Sequence, residues 1–277
     1  MERKRKAIEF NKLSNKIQTE FLQDTIYNNA GVSEELDRRP WGAGQGGNDL
    51  NVPIYMRNLI YYTDDYRPIW TNEMLYTGHS ILTKNLDNEN ISPTVYPNAT
   101  SHILKSIKNY PVNNKEVCTV GSISPWVESI LLYSGAIVDV IDYNPPVLEN
   151  INNPRLHVIT NVIKQYDCIV SYSSIEHSGL GRYGDDIDPD GDIKTMDFFH
   201  SILKPNGLLF LAVPLGEKTR LEWNHHRIYG PSRFEKLTQK FKLINLYGNQ
   251  STNNIYNYFV GENNWQNQPV CVFQKKI

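Results

Sequence analysis

Apolar residues in the second two-thirds of the chain fall in short unbroken runs, each closed by glycine, proline, asparagine or aspartate, which is the pattern of strands buried on both faces. Glu116–Val120 is such a run, Gly121-Ser122 a tight turn, Pro125–Tyr133 an apolar helix and Val138–Asp142 a second strand, which together make a βαβ unit. His157–Thr160, Asp167–Tyr172 and Leu208–Val213 continue the series. Only Asn161–Tyr166 separates the first two of these, too little for a crossover helix. Gly191–Leu203 reads as an amphipathic helix with Ile193, Met196, Phe199, Ile202 and Leu203 on one side, and Leu203–Gly207 as its stop and turn. Lys242–Tyr247 and Val270–Gln274 supply two last strands as an antiparallel hairpin, and Ala99–Tyr110 a helix before the sheet, capped by Asn98 or Thr100.

The first ~95 residues differ in character, as domain-length priors allow. Glu9–Tyr27 is a polar helix with sparse apolar positions at Phe10, Leu13, Ile17, Phe21 and Leu22, and Arg38–Thr71 reads as ordered loop. Gly42–Gly47 lacks the Gly-Lys-Ser/Thr ending of a phosphate loop and reads as a lid or turn. The expected organisation is an N-terminal helical and irregular extension over 1–97, then an α/β domain over 98–277.

Composition narrows the partners. A net charge of −2 and a pI near 6.4 give no electrostatic pull toward nucleic acid or an anionic membrane. No apolar h-region follows the basic start and no apolar run is long enough to span a bilayer, so the expectation is a soluble, cytoplasmic protein. Cys118, Cys168 and Cys271 lie inside apolar strands without C-x-x-C spacing and read as reduced core residues.

The turn after the first strand selects a ligand. A glycine there lets a ligand approach the backbone, and an acid about 20 residues on can accept from two ribose hydroxyls, where Asp142 stands. Val120–Pro125 keeps one glycine where a pyrophosphate loop needs more, so a nucleoside without phosphates fits better than a nicotinamide dinucleotide. S-adenosylmethionine (SAM) is such a ligand, with Gly121, Ser122, Asp142, Tyr143 and Ser173 as its expected contacts. The plainer alternative is that Gly121 ends a strand and Asp142 caps the turn before Asn144-Pro145-Pro146.

Ligands of open α/β sheets sit beyond the carboxyl ends of the central strands, so the loop Ser173–Asp192 faces the same ligand. Glu176 and His177 there are candidates for holding or deprotonating a substrate. Past the fifth strand, His226 is a candidate base that sequence position favours over His177, and Arg182, Arg220, Asn224, His225 and Arg227 are candidates for gripping an anionic acceptor, the alternative being a structural turn whose arginine and histidine satisfy carbonyls. Asp186, Asp188 and Asp190 match the start of a calcium loop, with helix capping by Asp190 or Asp192 as the metal-free explanation.

Ser173–His177 through Asp188–Asp192, then Leu203–Phe210, then Trp223–Gly230, closely resemble a family of unknown function within the class I SAM-dependent methyltransferase superfamily, over about Asn98 to Phe241. The resemblance implies a Rossmann-like seven-stranded methyltransferase sheet and SAM as cofactor, without an assigned substrate. From the residues, the expected activity is O-methylation of a small anionic hydroxylated acceptor such as a sugar, sugar nucleotide or glycan precursor. The alternative is a non-catalytic SAM- or nucleotide-binding module.

Overall fold

The computed structural model describes residues 67–76, 96, 98–180, 183, 185, 188–222, 226–250, 253–261 and 265–277. The readings for Glu9–Tyr27, Gly42–Gly47 and most of Arg38–Thr71 lie outside these residues, as do Arg182, Asp186, Asn224 and His225.

In chain order the elements are β1 (Ile69–Thr71), α1 (Ala99–Asn109), β2 (Glu116–Val120), α2 (Trp126–Tyr133), β3 (Ile137–Ile141), β4 (Val147–Glu149), β5 (Leu156–Val158) and β6 (Tyr166–Tyr172). Then come α3 (Gly191–Ile202), β7 (Leu203–Ala212), β8 (Arg220–Glu222), β9 (His226–Ile228), α4 (Pro231–Thr238), β10 (Phe241–Tyr247) and β11 (Val270–Lys275). Seven strands form one sheet in the order β10-β11-β7-β6-β2-β3-β5. All its neighbours run parallel except β11, which lies antiparallel between β7 and β10. The strand order therefore reverses beside β2, and the crevice at that reversal opens over the carboxyl ends of β2 and β6.

Alternate residues of each central strand enter opposite cores. Val117, Cys168, Val170, Phe210, Val270 and Val272 pack with Ile103 and Ile107 of α1 and with Ile130 and Leu131 of α2. Cys118, Ile169, Leu209, Leu211, Cys271 and Phe273 pack with Met196 and Phe199 of α3 and with Phe234 and Leu237 of α4. This explains why the strands read as unbroken apolar runs. The three cysteines are free and buried within these layers.

Three sequence expectations change in detail. Leu203–Gly207 is both the turn expected and part of β7: Tyr166 pairs with Leu203 and Cys168 with Leu208, so residues 204–207 bulge out of the ladder, with Asn206 at φ 62°. Asn98 precedes α1 in a left-handed conformation and its side chain does not cap the helix; its Nδ2 donates instead to Asn249 Oδ1 at 2.9 Å. The end of the segment read as loop, Ile69–Thr71, is a strand paired in parallel with β4, and Trp70 and Leu75 enter the same core as α1 and α2.

Asp139, on β3, organises a buried polar group between strands. It accepts from Tyr166 Oη at 2.9 Å, bonds His157 Nδ1 at 2.9 Å and pairs with Lys164 Nζ at 3.0 Å. Burial alone pushes its carboxyl up, but the hydrogen bonds from Lys164, His157 and Tyr166 outweigh that and hold it below the usual value. A depressed carboxylate contributes stability that is full above its unfolded pKa, about 3.9, and is lost as pH falls through the lower folded value. Asp139→Asn should therefore cost about 1–3 kcal/mol at pH 7 and much less at pH 3. Urea unfolding at both pH values checks this; an equal cost at the two would refute it.

Candidate active site

Four segments converge on the carboxyl edge: the turn after β2, the turn after β3, the long loop after β6, and the β8-β9 hairpin that follows β7. Gly121 leaves β2 with φ +83°, and a Cβ there would lie 1.8 Å from Ser174 Oγ and 2.3 Å from Ser174 Cβ. Glycine is thus required twice over, for the backbone conformation and for the close crossing of the loop after β6. Register places this turn beside the end of β3, where Val120 pairs with Ile141, and the Gly121 N–H points to the Ile141 carbonyl at 3.4 Å.

Asp142 follows at once. Its Oδ1 accepts from the Asn144 N–H at 2.7 Å, so the turn-capping reading holds for that oxygen, and among the described residues Oδ2 has no hydrogen-bond partner. Burial pushes this carboxyl up to about 6, against the Asn144 N–H and the Arg67 charge, which favour the ionised form. Tyr143 beside it is 59% exposed. Asn144 Nδ2 donates to the Tyr183 carbonyl at 3.0 Å and joins this turn to the loop after β6.

That loop begins under strain. Ser173 sits at φ 50°, and its hydroxyl donates to Glu176 Oε1 at 2.6 Å while accepting from Gln268 Nε2 at 3.0 Å. Glu176 is buried, and its Oε1 lies 3.7 Å from His177 Nε2. The His177 ring stands edge-on to Tyr183 at 5.4 Å and to His226 at 6.3 Å between centroids. The two histidines, distant in sequence, thus stand side by side at this edge.

Arg227, expected to grip the acceptor, is 4% exposed and holds the loop instead. Its Nη1 donates to the carbonyls of Ser178 at 2.6 Å and Glu176 at 3.4 Å, and its Nη2 to those of Pro189 at 3.1 Å and Asp188 at 3.4 Å. Arg220 lies on β8 opposite Ile228. The acidic run is likewise engaged: Asp188 pairs with Lys194 at 2.5 Å, and Asp190 with Lys236 at 3.2 Å and Arg233 at 3.4 Å. Asp190 occupies the N-cap position of α3 without a side-chain capping bond. Among the described residues no three His, Cys, Asp or Glu side chains are grouped to hold a metal ion.

Two residues at this edge escape sequence reasoning. Trp70 is fully buried and its Nε1 donates to the Ile123 carbonyl at 3.0 Å, so β1 braces the turn after β2. Glu128 lies on α2 with no exposed surface; Ser122 Oγ donates to its Oε1 at 2.6 Å, and the Thr119 hydroxyl faces it from β2. Burial pushes this carboxyl up to about 7 despite the Ser122 bond. The available signal was a lone acid in the helix Trp-Val-Glu-Ser-Ile-Leu-Leu-Tyr, whose neighbours are apolar.

A seven-stranded sheet of this order, with the last strand inserted antiparallel and a glycine turn and acid at the reversal, is the fold of SAM-dependent methyltransferases. The chain belongs to the family described as Caenorhabditis protein of unknown function, DUF268, which it matches over residues 114–267, more than half its length. No curated protein matches it. It is similar to the N-methyltransferase NodS from Bradyrhizobium japonicum, solved with S-adenosylhomocysteine, at 14% identity, covering 73% of this chain and 99% of that one with a TM-score of 0.44. It is also similar to 1,6-didemethyltoxoflavin-N1-methyltransferase from Burkholderia thailandensis, at 13% identity over 74% and 89% of the two chains, TM-score 0.46. No helix among the described residues is long and apolar enough to cross a membrane.

Proposed function

We propose that the protein is a SAM-dependent methyltransferase that O-methylates a small anionic hydroxylated acceptor: a sugar, sugar nucleotide or glycan precursor. One observation carries the reading. The Gly121 turn with Asp142 and the Glu176, His177 and His226 group occupy one edge of the sheet, bridged by the Asn144–Tyr183 bond. A nucleoside there fits the donor set, because Asp142 keeps one carboxylate oxygen for ribose hydroxyls beside the Gly121 turn.

SAM brings a methyl group already activated on a sulfonium, so the chain's own tasks are to align the acceptor and remove its proton. Sequence position favours His226 for that proton; burial favours His177. His226 is 3% exposed, whereas the His177 side chain keeps 13% of its surface, so the His177 imidazole is the better placed of the two to take the acceptor's proton as the new carbon–oxygen bond forms. His226 then supports the ring. With Arg227 committed to the loop, the acceptor's negative charge falls to Arg220 and Arg182. Methyl transfer is assigned to 98–277, to whose core the preceding segment adds Trp70 and Leu75.

Incubating the protein with SAM and a panel of sugars, sugar phosphates and sugar nucleotides tests the reading, with S-adenosylhomocysteine release as the signal. Release that depends on one acceptor class supports it. Tight SAM binding without release for any acceptor would mark a binding module instead.

A further inference from the structure

We propose that Gln268 and Ser173 are positioning residues that act through Glu176 to hold His177 ready as a base. The proposal rests on the reading of His177 above and adds the groups behind it. The polarity of their hydrogen-bond chain is set from its far end. The Trp265 carbonyl can only accept, so the Gln268 side-chain atom 2.8 Å from it is the amide nitrogen, and the same nitrogen donates its other hydrogen to Ser173 Oγ at 3.0 Å. That turns the Ser173 proton toward Glu176 Oε1, 2.6 Å away. A donor aimed at a buried carboxyl favours its ionised form, and Oε1 is also the oxygen that lies 3.7 Å from His177 Nε2. A carboxylate there steadies the imidazolium that forms when His177 takes a proton.

Two further observations single these residues out. Ser173 stands at φ 50°, a left-handed conformation that glycine adopts without strain, so the retention of a serine points to a use for its hydroxyl. Gln268 is 4% exposed and, among the described residues, its Oε1 is buried without a hydrogen-bond partner, so the amide is oriented by its donors. Both residues are tied to the sheet: Tyr172 Oη donates to the Gln268 carbonyl at 3.3 Å, and the Ser173 N–H to the Ala212 carbonyl at 2.9 Å. The other titratable groups around the acid and the imidazole are Tyr172 and Tyr229 near Glu176, and Tyr183 and His226 against the His177 ring. Arg227 holds the carbonyls on either side of His177, and Asp185 the amides of Gly179 and Tyr183.

Two variants break the chain and leave all of these groups in place. Ser173→Gly removes the hydroxyl and suits the left-handed backbone, while Gln268→Met keeps the side-chain length and loses the donors. Histidine-labelled NMR, with His177→Asn to assign the resonance, follows the imidazole itself. Without the Ser173 donor Glu176 takes up a proton more readily, so His177 should titrate at lower pH than in the wild type, most of all in Ser173→Gly. Turnover at saturating SAM should fall by about tenfold in Ser173→Gly, less than on removing the imidazole, and the acid limb of its pH profile should move down with the titration. Affinity for SAM should change by less than about twofold. An unchanged titration and turnover in both folded variants would make the chain merely structural and overturn the proposal. Weakened SAM binding with intact saturated turnover in Ser173→Gly would overturn it too, by making the hydroxyl a cofactor contact. If the wild type releases no S-adenosylhomocysteine with any acceptor, the methyltransferase reading fails, and the His177 titration alone still decides whether the chain acts on the imidazole.

Discussion

His177→Ala should lower turnover by about 10²–10⁴-fold while SAM affinity stays within about twofold. A general base contributes on that scale. The ring stands on the loop after β6, with Glu176 Oε1 3.7 Å from its Nε2 and with Tyr183 and His226 edge-on to it. The cofactor's expected contacts lie on the turns after β2 and β3 and at Ser173, whose hydroxyl bonds Glu176 and Gln268 and not His177, so deleting the imidazole leaves them whole. His226→Ala should cost less, since that ring is 3% exposed and acts by supporting its neighbour. Single-turnover rates and SAM affinities of the two variants separate the roles. Full turnover in His177→Ala with loss in His226→Ala would exchange them, and activity in both would leave alignment alone to drive the reaction.

The second large effect is on stability. Asp192 is fully buried at the start of α3, accepts from Arg233 Nη2 at 2.6 Å and from Tyr229 Oη at 3.1 Å, and lies 3.7 Å from Arg227 Nε. Both arginines are nearly as buried. A buried pair adds little over an apolar replacement of both partners, but removing one partner strands the other's charge. Asp192→Ala should therefore cost about 3–5 kcal/mol in urea unfolding. The same change releases the hold of Arg227 and Arg233 on the carbonyls of Ser178 and Pro189, so activity should fall even where the protein remains folded. A cost below about 1 kcal/mol would mean that the arginines find other partners or water.

Much of the framework is written in local pattern. The βαβ unit from Glu116, the helix over Gly191–Ile202 and the closing hairpin stand within a residue or two of their expected limits, because long apolar runs between breakers admit few alternatives. The expectation that Glu176, His177, His226 and Arg227 share one edge came from one rule, that ligands sit at the carboxyl edge where strand order reverses; the structure has His177 beside Glu176 and His226, and Arg227 on the carbonyls of their loop. What escaped depends on tertiary contact. Nothing in Pro68-Ile69-Trp70-Thr71 announces a parallel partner 78 positions away, by subtraction, at Val147–Glu149. Arg227 reads equally as a grip on an anion or as a turn residue that satisfies carbonyls, and only the loop carbonyls around its guanidinium decide for the second. The acids of the calcium-like run fit a metal by spacing, but Lys194, Lys236 and Arg233 reach them from α3 and α4.

Binding of S-adenosylhomocysteine to the wild-type protein and to Asp142→Ala, measured by calorimetry on samples of matched folding, tests the central claim most directly. Asp142 ends the second strand beside Gly121 and retains one carboxylate oxygen without a described partner. The account predicts a saturable one-to-one site in the wild type, weakened by about 1–3 kcal/mol in the variant, the scale of hydrogen bonds to a charged group. Absence of binding to the wild type, or the same affinity in both proteins, would contradict it.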